Sequence, residues 1–404
     1  MTIMDRRKFL YTAATGLAGA ATLTAFPGLA TAALPTDKRL IVVLLRGGMD
    51  GLAAVPPLGD KDYAAARGKL ALTDGLPLDG FFALHPALAP LHALYKKKEL
   101  TVFHGIASPY RERSHFDGQN LLENGTDRPN GADSGWLNRT LASFPDERAD
   151  RVKGLAIGQN VPLILYGKQP VASWAPSRSK MPDSALLDQL ERIYDNDALF
   201  HNALAQGLAI HEIADEALSG EQKQRMKNIN RGNAAGVLAA AASKLLQDKN
   251  GARIATVDVG GWDSHARQGT SGGSLANNLK GFAQGVEAFT KNLAPIWDKT
   301  AVLVVTEFGR TVHENGTGGT DHGTASAAFL MGGAVNGGQI YADWKGLDKN
   351  SLYQNRDLMP TTDMRALFKS VLRDHLGIPL STIENVIFPG SRSAGTLSNL
   401  IRKS

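Results

Sequence analysis

An α/β fold, with a mostly parallel central sheet and helices on both faces, is predicted by three observations. Compact apolar runs without period-two alternation read as strands buried on both faces. Helical segments separate those runs, the order expected of a parallel sheet. Polar clusters follow the ends of the runs, where ligands collect in such sheets. In chain order, Arg39 to Leu45 (RLIVVLL) is the first strand, stopped by the glycine-rich turn Arg46-Gly47-Gly48-Met49-Asp50-Gly51. Pro86 to Lys98 has helical spacing, with Leu88, Leu91, His92 and Tyr95 on one side. Leu100 to Ile106 (LTVFHGI) is a second strand, and Ser114 to Glu123 a helix that starts at a serine. The stretch from about 180 to 250, rich in Ala, Leu, Gln and Lys, reads as a helical insert, clearest from Ala234 to Leu246. Arg253 to Val259 returns to strand, Leu279 to Trp297 to helix, and Ala301 to Thr306 to strand. Ser326 to Met331 is a further apolar segment, and Thr362 to Leu376 a closing helix with Gly377 just past its end.

The amino terminus carries a different signal. Arg6-Arg7 followed by Lys8-Phe9-Leu10, a mild Gly/Thr/Ala-rich stretch to Pro27 and the small-x-small pattern Ala30-Thr31-Ala32 read as a twin-arginine export signal. Residues 1–32 are then a cleaved leader, and 33–404 form one domain outside the cytoplasm, periplasmic or secreted. Export requires the twin-arginine translocase and signal peptidase as transient partners. The segment from Leu10 to Phe26 is short and weakly apolar for a spanning helix, so no stable membrane span is expected after cleavage. The absence of cysteine excludes disulfides, thiolate metal sites and Cys nucleophiles. Any metal must be held by carboxylates, imidazoles or hydroxyls. Without the leader the formal charge falls from +5 by two, and no basic run exceeds Lys96-Lys97-Lys98, which argues against nucleic acid as a partner. A redox role is disfavoured too, since RGGMDG after the first strand does not match Gly-x-Gly-x-x-Gly.

Four clusters at strand ends can carry chemistry: Asp50; Ser114-His115; Asp258, Asp263 and His265; and Glu307, Arg310 and Asp321-His322. Divalent cations take carboxylates and imidazoles converging from separate loops, which this arrangement can supply. The other histidines have plainer readings. His85 and His92 cap or pack an apolar helix, His104 is a satisfied core residue, and His201 and His211 lack carboxylate partners at ligand spacing. His375 sits favourably at a helix C-terminus.

Several long ordered motifs point to a known family. They are LLRGGMDGL (44–52), LHPALAPLHALY (84–95), RSHFDGQNLLENG (113–125), GWLNR (135–139), VDVGGWDSHARQ (257–268) and TEFGRTVHENGTGGTDHG (306–323). On these the sequence resembles the twin-arginine-exported domain-of-unknown-function family number 1501, which is related to the alkaline phosphatase and sulfatase superfamily. The resemblance covers nearly all of the mature chain and implies an alkaline-phosphatase-like domain. It also implies a divalent metal (zinc, manganese or calcium) and hydrolysis of a phosphate or sulfate ester, from a small molecule or a glycan.

Carried over residue by residue, the resemblance places Asp50, Asp263, His265, Glu307, Asp321 and His322 among the metal ligands. Two alignments are open. One sets Glu307 where the superfamily has an Asp-His pair and leaves His322 as the final ligand; the other sets Asp321-His322 on that pair. The first is preferred because Glu307 stands at a strand end. Ser114 takes the place of the hydroxyl nucleophile, at a helix N-terminus that favours anions. Arg113, Arg310 and Arg46 would hold the non-bridging oxygens, and His115 would protonate the leaving group. Structural readings stand beside these: Ser114 as a helix cap, and Arg310 as the partner of Glu307. The competing function is a catalytically inactive, phosphatase-like secreted protein that binds an envelope component or partner protein.

Overall fold

The computed structural model describes residues 36–144, 153–158, 160–175, 183–195, 234–247 and 252–403, with isolated positions between 197 and 208. The predicted leader (1–32) and His211 lie outside the described residues. No described helix is long and apolar enough to cross a membrane.

The chain runs β1 (Arg39–Arg46), α1 (Gly51–Ala54), α2 (Tyr63–Arg67), α3 (Ala89–Lys96), β2 (Leu100–Ala107), α4 (His115–Asn124) and α5 (Trp136–Leu141). It continues through β3 (Gly154–Ile157), β4 (Val171–Trp174), α6 (Ser184–Tyr194), α7 (Ala234–Gln247), β5 (Ile254–Gly260) and α8 (Ser274–Asn292). The last elements are β6 (Thr300–Val305), β7 (Ser326–Met331), β8 (Gln339–Ala342), β9 (Thr362–Asp363) and α9 (Met364–Asp374). These nine strands form one sheet in the order β8-β2-β7-β6-β1-β5-β3-β4, with β9 added to β2. Within this sheet all pairings are parallel except those of β7 with β2 and with β6. The reversal of β7 matters for function. Its first residue lies at the same sheet edge as the last residues of its neighbours, so the residues just before Ser326 join the loops that follow β1, β2, β5 and β6.

Both faces of the sheet are buried, which explains the nearly continuous apolar runs. On β1, Ile41, Val43 and Leu45 pack with Leu91 of α3, Leu246 of α7 and Phe282 of α8. Leu40, Val42 and Leu44 point to the other face, against Leu122 of α4, Leu137 of α5 and Phe368 of α9. Each such side chain contributes about 1.5–3 kcal/mol of burial free energy. That makes β1 and its neighbours a rigid platform for the loops at its end.

Some predicted boundaries move for local reasons. The helix expected from Pro86 begins as a 3₁₀ turn (Pro86–Leu88) before α3. The helix expected over 279–297 starts earlier, at Ser274, and ends at Asn292; Pro295 then opens a separate 3₁₀ segment, Ala294–Lys299. Where the 180–250 stretch is described at length, as α6 and α7, it is helical. Gly377 has φ 73 and donates its N–H to Arg373 C=O, as a residue closing a helix does.

Candidate metal centre

At the shared sheet edge, His115, Asp263 and His322 bring ligand atoms within 4.8 Å of one another. His115 is the first residue of α4. That helix has Asp117 in its first turn and closes on Gly125 in the left-handed conformation, so it is fixed at both ends. Asp263 and His265 lie on the loop after β5. That loop is anchored by Trp262, which is fully buried and donates its indole N–H to Val259 C=O at 3.0 Å. His322 lies on the excursion from β6 to β7. Its two arms are pinned by Gly309 N–H to Thr324 C=O and Thr311 N–H to Asp321 C=O, both at 2.9 Å. The approach of β1's turn to Asp263 is close. Gly47 has φ 122, and a Cβ there would lie 2.6 Å from Asp263 N, so only glycine fits without displacement.

Each of three imidazoles is held through Nδ1 by an acceptor, leaving Nε2 to face the centre. His115 Nδ1 meets Glu307 Oε1 at 2.7 Å, and its buried Nε2 has no hydrogen-bond partner but lies 3.5 Å from Asp263 Oδ2. His322 Nδ1 donates to Arg113 C=O at 2.9 Å. A carbonyl only accepts, so that bond fixes the tautomer. His265 Nδ1 meets Asp321 Oδ1 at 3.2 Å. The Nε2 atoms of His265 and His322 then face each other at 3.0 Å, and both approach Asp263 Oδ1, at 3.0 and 3.2 Å. Two imidazole lone pairs at that distance repel unless a proton or a cation lies between them. Nitrogens sharing one tetrahedral ion at about 2.0–2.1 Å would stand about 3.3 Å apart. The donor set, three imidazoles and a carboxylate with carboxylates or a carbonyl behind the rings, fits a divalent cation.

The electrostatics follow from these contacts. The hydrogen bond to Glu307 holds the His115 pKa above the usual imidazole value, with burial opposing it. Burial would raise the Glu307 carboxyl. Bonds from His115, Gln119 and the Gly47 N–H outweigh it, and the pKa is lowered. Burial lowers His322, disfavouring a second proton on its ring. Asp263 is held below its ordinary value because the Arg310 guanidinium, 2.6 Å from Oδ1, overcomes burial. Asp321 is lowered chiefly by the amide of Asn315.

The remaining sequence-predicted residues take other places. Asp50 does not join the cluster. Its Oδ1 caps α1 by accepting from Ala53 N–H, and its Oδ2 accepts from Arg67 at 2.5 Å and Gln268 at 2.7 Å. Glu307 and Asp321 stand behind His115 and His265 rather than beside Asp263. Arg310 pairs with Asp263, not with Glu307. Arg113 pairs with the buried Asp357 at 2.8 Å and with Gln354 at 2.6 Å. Arg46 pairs with Asp258 and Glu123. Ser114 precedes α4, and its side chain makes no capping bond; the Tyr110 hydroxyl accepts its N–H at 3.3 Å. His375 is buried at the end of α9, bonded to Arg39 C=O, and burial lowers its pKa to about 4. It is therefore neutral, not a cation on the helix dipole.

Two supporting residues had a readable signal that sequence reasoning passed over. Gln119 and Glu123 follow His115 at i+4 and i+8 and so share its helix face. Gln119 bonds Glu307 and Arg46, and Glu123 bonds Arg46 and the Ile164 N–H. Arg67, which neutralises Asp50, and Gln268, which donates a hydrogen bond to it, are joined to it only through the fold.

Comparisons with known proteins fit the motifs. The profile of the family described as protein of unknown function (DUF1501) matches residues 104–387, and the chain belongs to that family. No curated protein matches it. Among solved structures, the zinc complex of the C-terminal periplasmic domain of EcEptC from Escherichia coli is similar at 12% identity and TM-score 0.36, over 76% of this chain and 77% of that one. A phosphonate monoester hydrolase of Agrobacterium radiobacter is similar at 11% identity and TM-score 0.33, over 85% and 74%. The alkaline phosphatase of the Antarctic bacterium TAB5 is similar at 12% identity and TM-score 0.33, over 75% and 94%.

Proposed function

We propose that the chain is an exported, metal-dependent hydrolase of phosphate or sulfate esters, acting in the periplasm or outside the cell. The observation that carries this reading is the facing pair of Nε2 atoms, His265 and His322 at 3.0 Å, with Asp263 and the unpartnered His115 Nε2 beside them. Three imidazoles favour zinc or manganese over calcium, which prefers an all-oxygen shell. A divalent cation held there supplies Lewis-acid polarisation of an ester oxygen and lowers the pKa of a nearby hydroxyl.

The chain's own residues supply the rest. Ser114 offers a hydroxyl that caps nothing, at the N-terminus of α4, where free N–H groups favour negative charge. Glu307 and Asp321 orient His115 and His265 and raise their basicity as ligands. Arg310 keeps Asp263 ionised and in place. Export rests on Arg6-Arg7 and the Ala30-Thr31-Ala32 pattern, with the translocase and signal peptidase as passing partners.

One observation favours a second reading, a secreted protein that keeps this centre but binds an envelope component without hydrolysing it. Arg46, Arg113 and Arg310, the guanidinium groups first expected to hold an anion, are all committed to carboxylates of the chain. Assay of the mature protein, loaded with zinc or manganese, on an aryl phosphate, an aryl phosphodiester and an aryl sulfate separates the two. Turnover that a chelator abolishes and metal restores is expected. A metal-loaded protein inert on all three would leave the binding reading.

A further inference from the structure

We propose that Arg356 is the residue that contacts the anionic group of the substrate at this centre, a role for which the other nearby arginines are not free. This rests on the ester-hydrolase reading and names the specificity-determining cation for it. Arg356 sits one hydrogen bond from a candidate ligand. Its Nη1 donates to the backbone carbonyl of His322 at 2.9 Å and to Asp357 Oδ1 at 2.9 Å. Nε and Nη2 have no hydrogen-bond partner among the described residues, and the side chain is 40% exposed. By contrast, the Arg310 side chain is fully buried, and the exposed parts of Arg46 and Arg113 amount to 22% each.

The local charge points the same way. The fully buried Asp357 is shared by Arg113 and Arg356, so two guanidinium groups are balanced by one carboxylate. Arg356, the more exposed partner, also acts on the half-exposed Asp321 behind His265. That carboxyl is lowered chiefly by Asn315 and in part by this guanidinium, so the charge of Arg356 lies on the side of the centre. Guanidinium groups match phosphoryl and sulfuryl oxygens through paired N–H donors, and an Nε/Nη2 edge offers such a pair.

The position is built rather than incidental. Gln354 and Asn355, the two residues before Arg356, both have positive φ (53 and 54). The turn is closed by reciprocal backbone bonds between Tyr353 and Asp357. Arg356 C=O also accepts Val312 N–H, tying the turn to the β6–β7 excursion that carries His322. Arg113 is itself left-handed (φ 61), and its carbonyl holds the His322 ring while its side chain holds Asp357 and Gln354. The same few residues therefore fix the ligand and the guanidinium with its open Nε/Nη2 edge together, which is the preorganisation an anion site needs.

The test measures inorganic phosphate and sulfate binding by calorimetry to zinc-loaded full-length mature protein, for wild type, Arg356→Gln, Arg356→Lys and the distant exposed Arg392→Gln. Metal content is read on the same samples. The expected result is phosphate binding weakened about tenfold or more in Arg356→Gln, corresponding to at least ~1.4 kcal/mol. A smaller loss is expected in Arg356→Lys and none in Arg392→Gln, with metal content equal throughout. Phosphate binding within twofold of wild type in Arg356→Gln, or equal losses in Arg356→Gln and Arg392→Gln, would overturn the assignment while leaving the hydrolase reading standing. A wild type that takes up no metal would overturn the hydrolase reading and this assignment with it.

Discussion

Asp50 and Asp263 stand at the same edge of the sheet, each in a glycine-rich loop after a parallel strand, yet they are neutralised differently. Asp50 is 1% exposed, and its carboxylate is fully used by Arg67, Gln268 and the N–H of Ala53. The side chain of Asp263 is 43% exposed; Arg310 takes Oδ1, while Oδ2 meets only the His115 Nε2, 3.5 Å away. The first cluster carries its own cation, sealed in the core. The second is open, surrounded by imidazole nitrogens aimed inward. The comparison teaches that a carboxylate at a strand end, even one paired with a buried arginine as both are here, becomes a candidate ligand where it stays open and imidazole nitrogens face it.

The largest expected effect comes from breaking the sealed cluster. Arg67→Ala leaves Asp50 buried and unpaired, and should cost about 3–5 kcal/mol of stability, read from the urea midpoint. Zinc content of the folded fraction should not change, since Asp50 is not a ligand. A loss of metal at unchanged stability would show that the two clusters are one.

A second test extends the contrast to the histidines. His104 and His375 are buried and bonded to backbone carbonyls of Val55 and Arg39, and burial lowers both pKa values to about 4 from 6.5. The unfolded chain then binds more protons than the folded one between those values. Their contribution to stability is complete above about pH 6.5 and is lost as pH falls towards 4. Each ring gives up about 1.4 kcal/mol for every pH unit crossed within that window. Urea unfolding across the same range checks it, with His104→Gln and His375→Gln flattening the profile. A profile unchanged in both variants would contradict the assignment.

Much of this was legible in the sequence, for definite reasons. β1, β6 and β7 are nearly continuous apolar runs, and β2 and β5 are apolar runs broken only by Thr101, His104, Thr256 and Asp258, because both sheet faces are covered. Their predicted bounds agree with the structure to within a residue. β3 (GLAI), β4 (VASW) and β8 (QIYA) are four residues each, too short for any periodicity to show. The antiparallel course of β7 is a property of pairing, not of its residues, although it alone brings His322 to the site. Asp263, His265 and His322 meet because each follows or precedes a strand at one edge. The burial of Asp50 could not be read, because Arg67 lies in YAAAR of α2 and reaches it only in the folded chain. The division of labour between Glu307 and His115 was equally hidden. A carboxylate at a strand end looks the same whether it faces a cation or the back of an imidazole.

Gly47→Ala tests how tightly β1's turn closes the open cluster. With φ 122 and a Cβ 2.6 Å from Asp263 N, the substitution should cost about 1–3 kcal/mol. It should also weaken zinc binding, because it is the Asp263 loop that must move. Stability lost with metal affinity intact would place the strain elsewhere.

Smaller and finer is the difference between the two carboxylates behind the rings. Glu307→Gln should weaken zinc binding by about 10–100-fold, the usual cost of removing such a partner. Asp321→Asn should cost less, since Asp321 is half exposed and 3.2 Å from its ring, against 2.7 Å for the buried Glu307. Competition titration with a zinc chelator ranks them; the reverse order would contradict the geometry.

The central claim is that His115, His265, His322 and Asp263 hold a divalent cation. Elemental analysis of the mature protein, beside a His265→Ala/His322→Ala double variant, tests it most directly. About one zinc or manganese ion per chain in the wild type, absent from a double variant that stays folded, is the predicted result. A folded wild type that takes up no metal after loading, or a double variant that keeps it, would contradict the account.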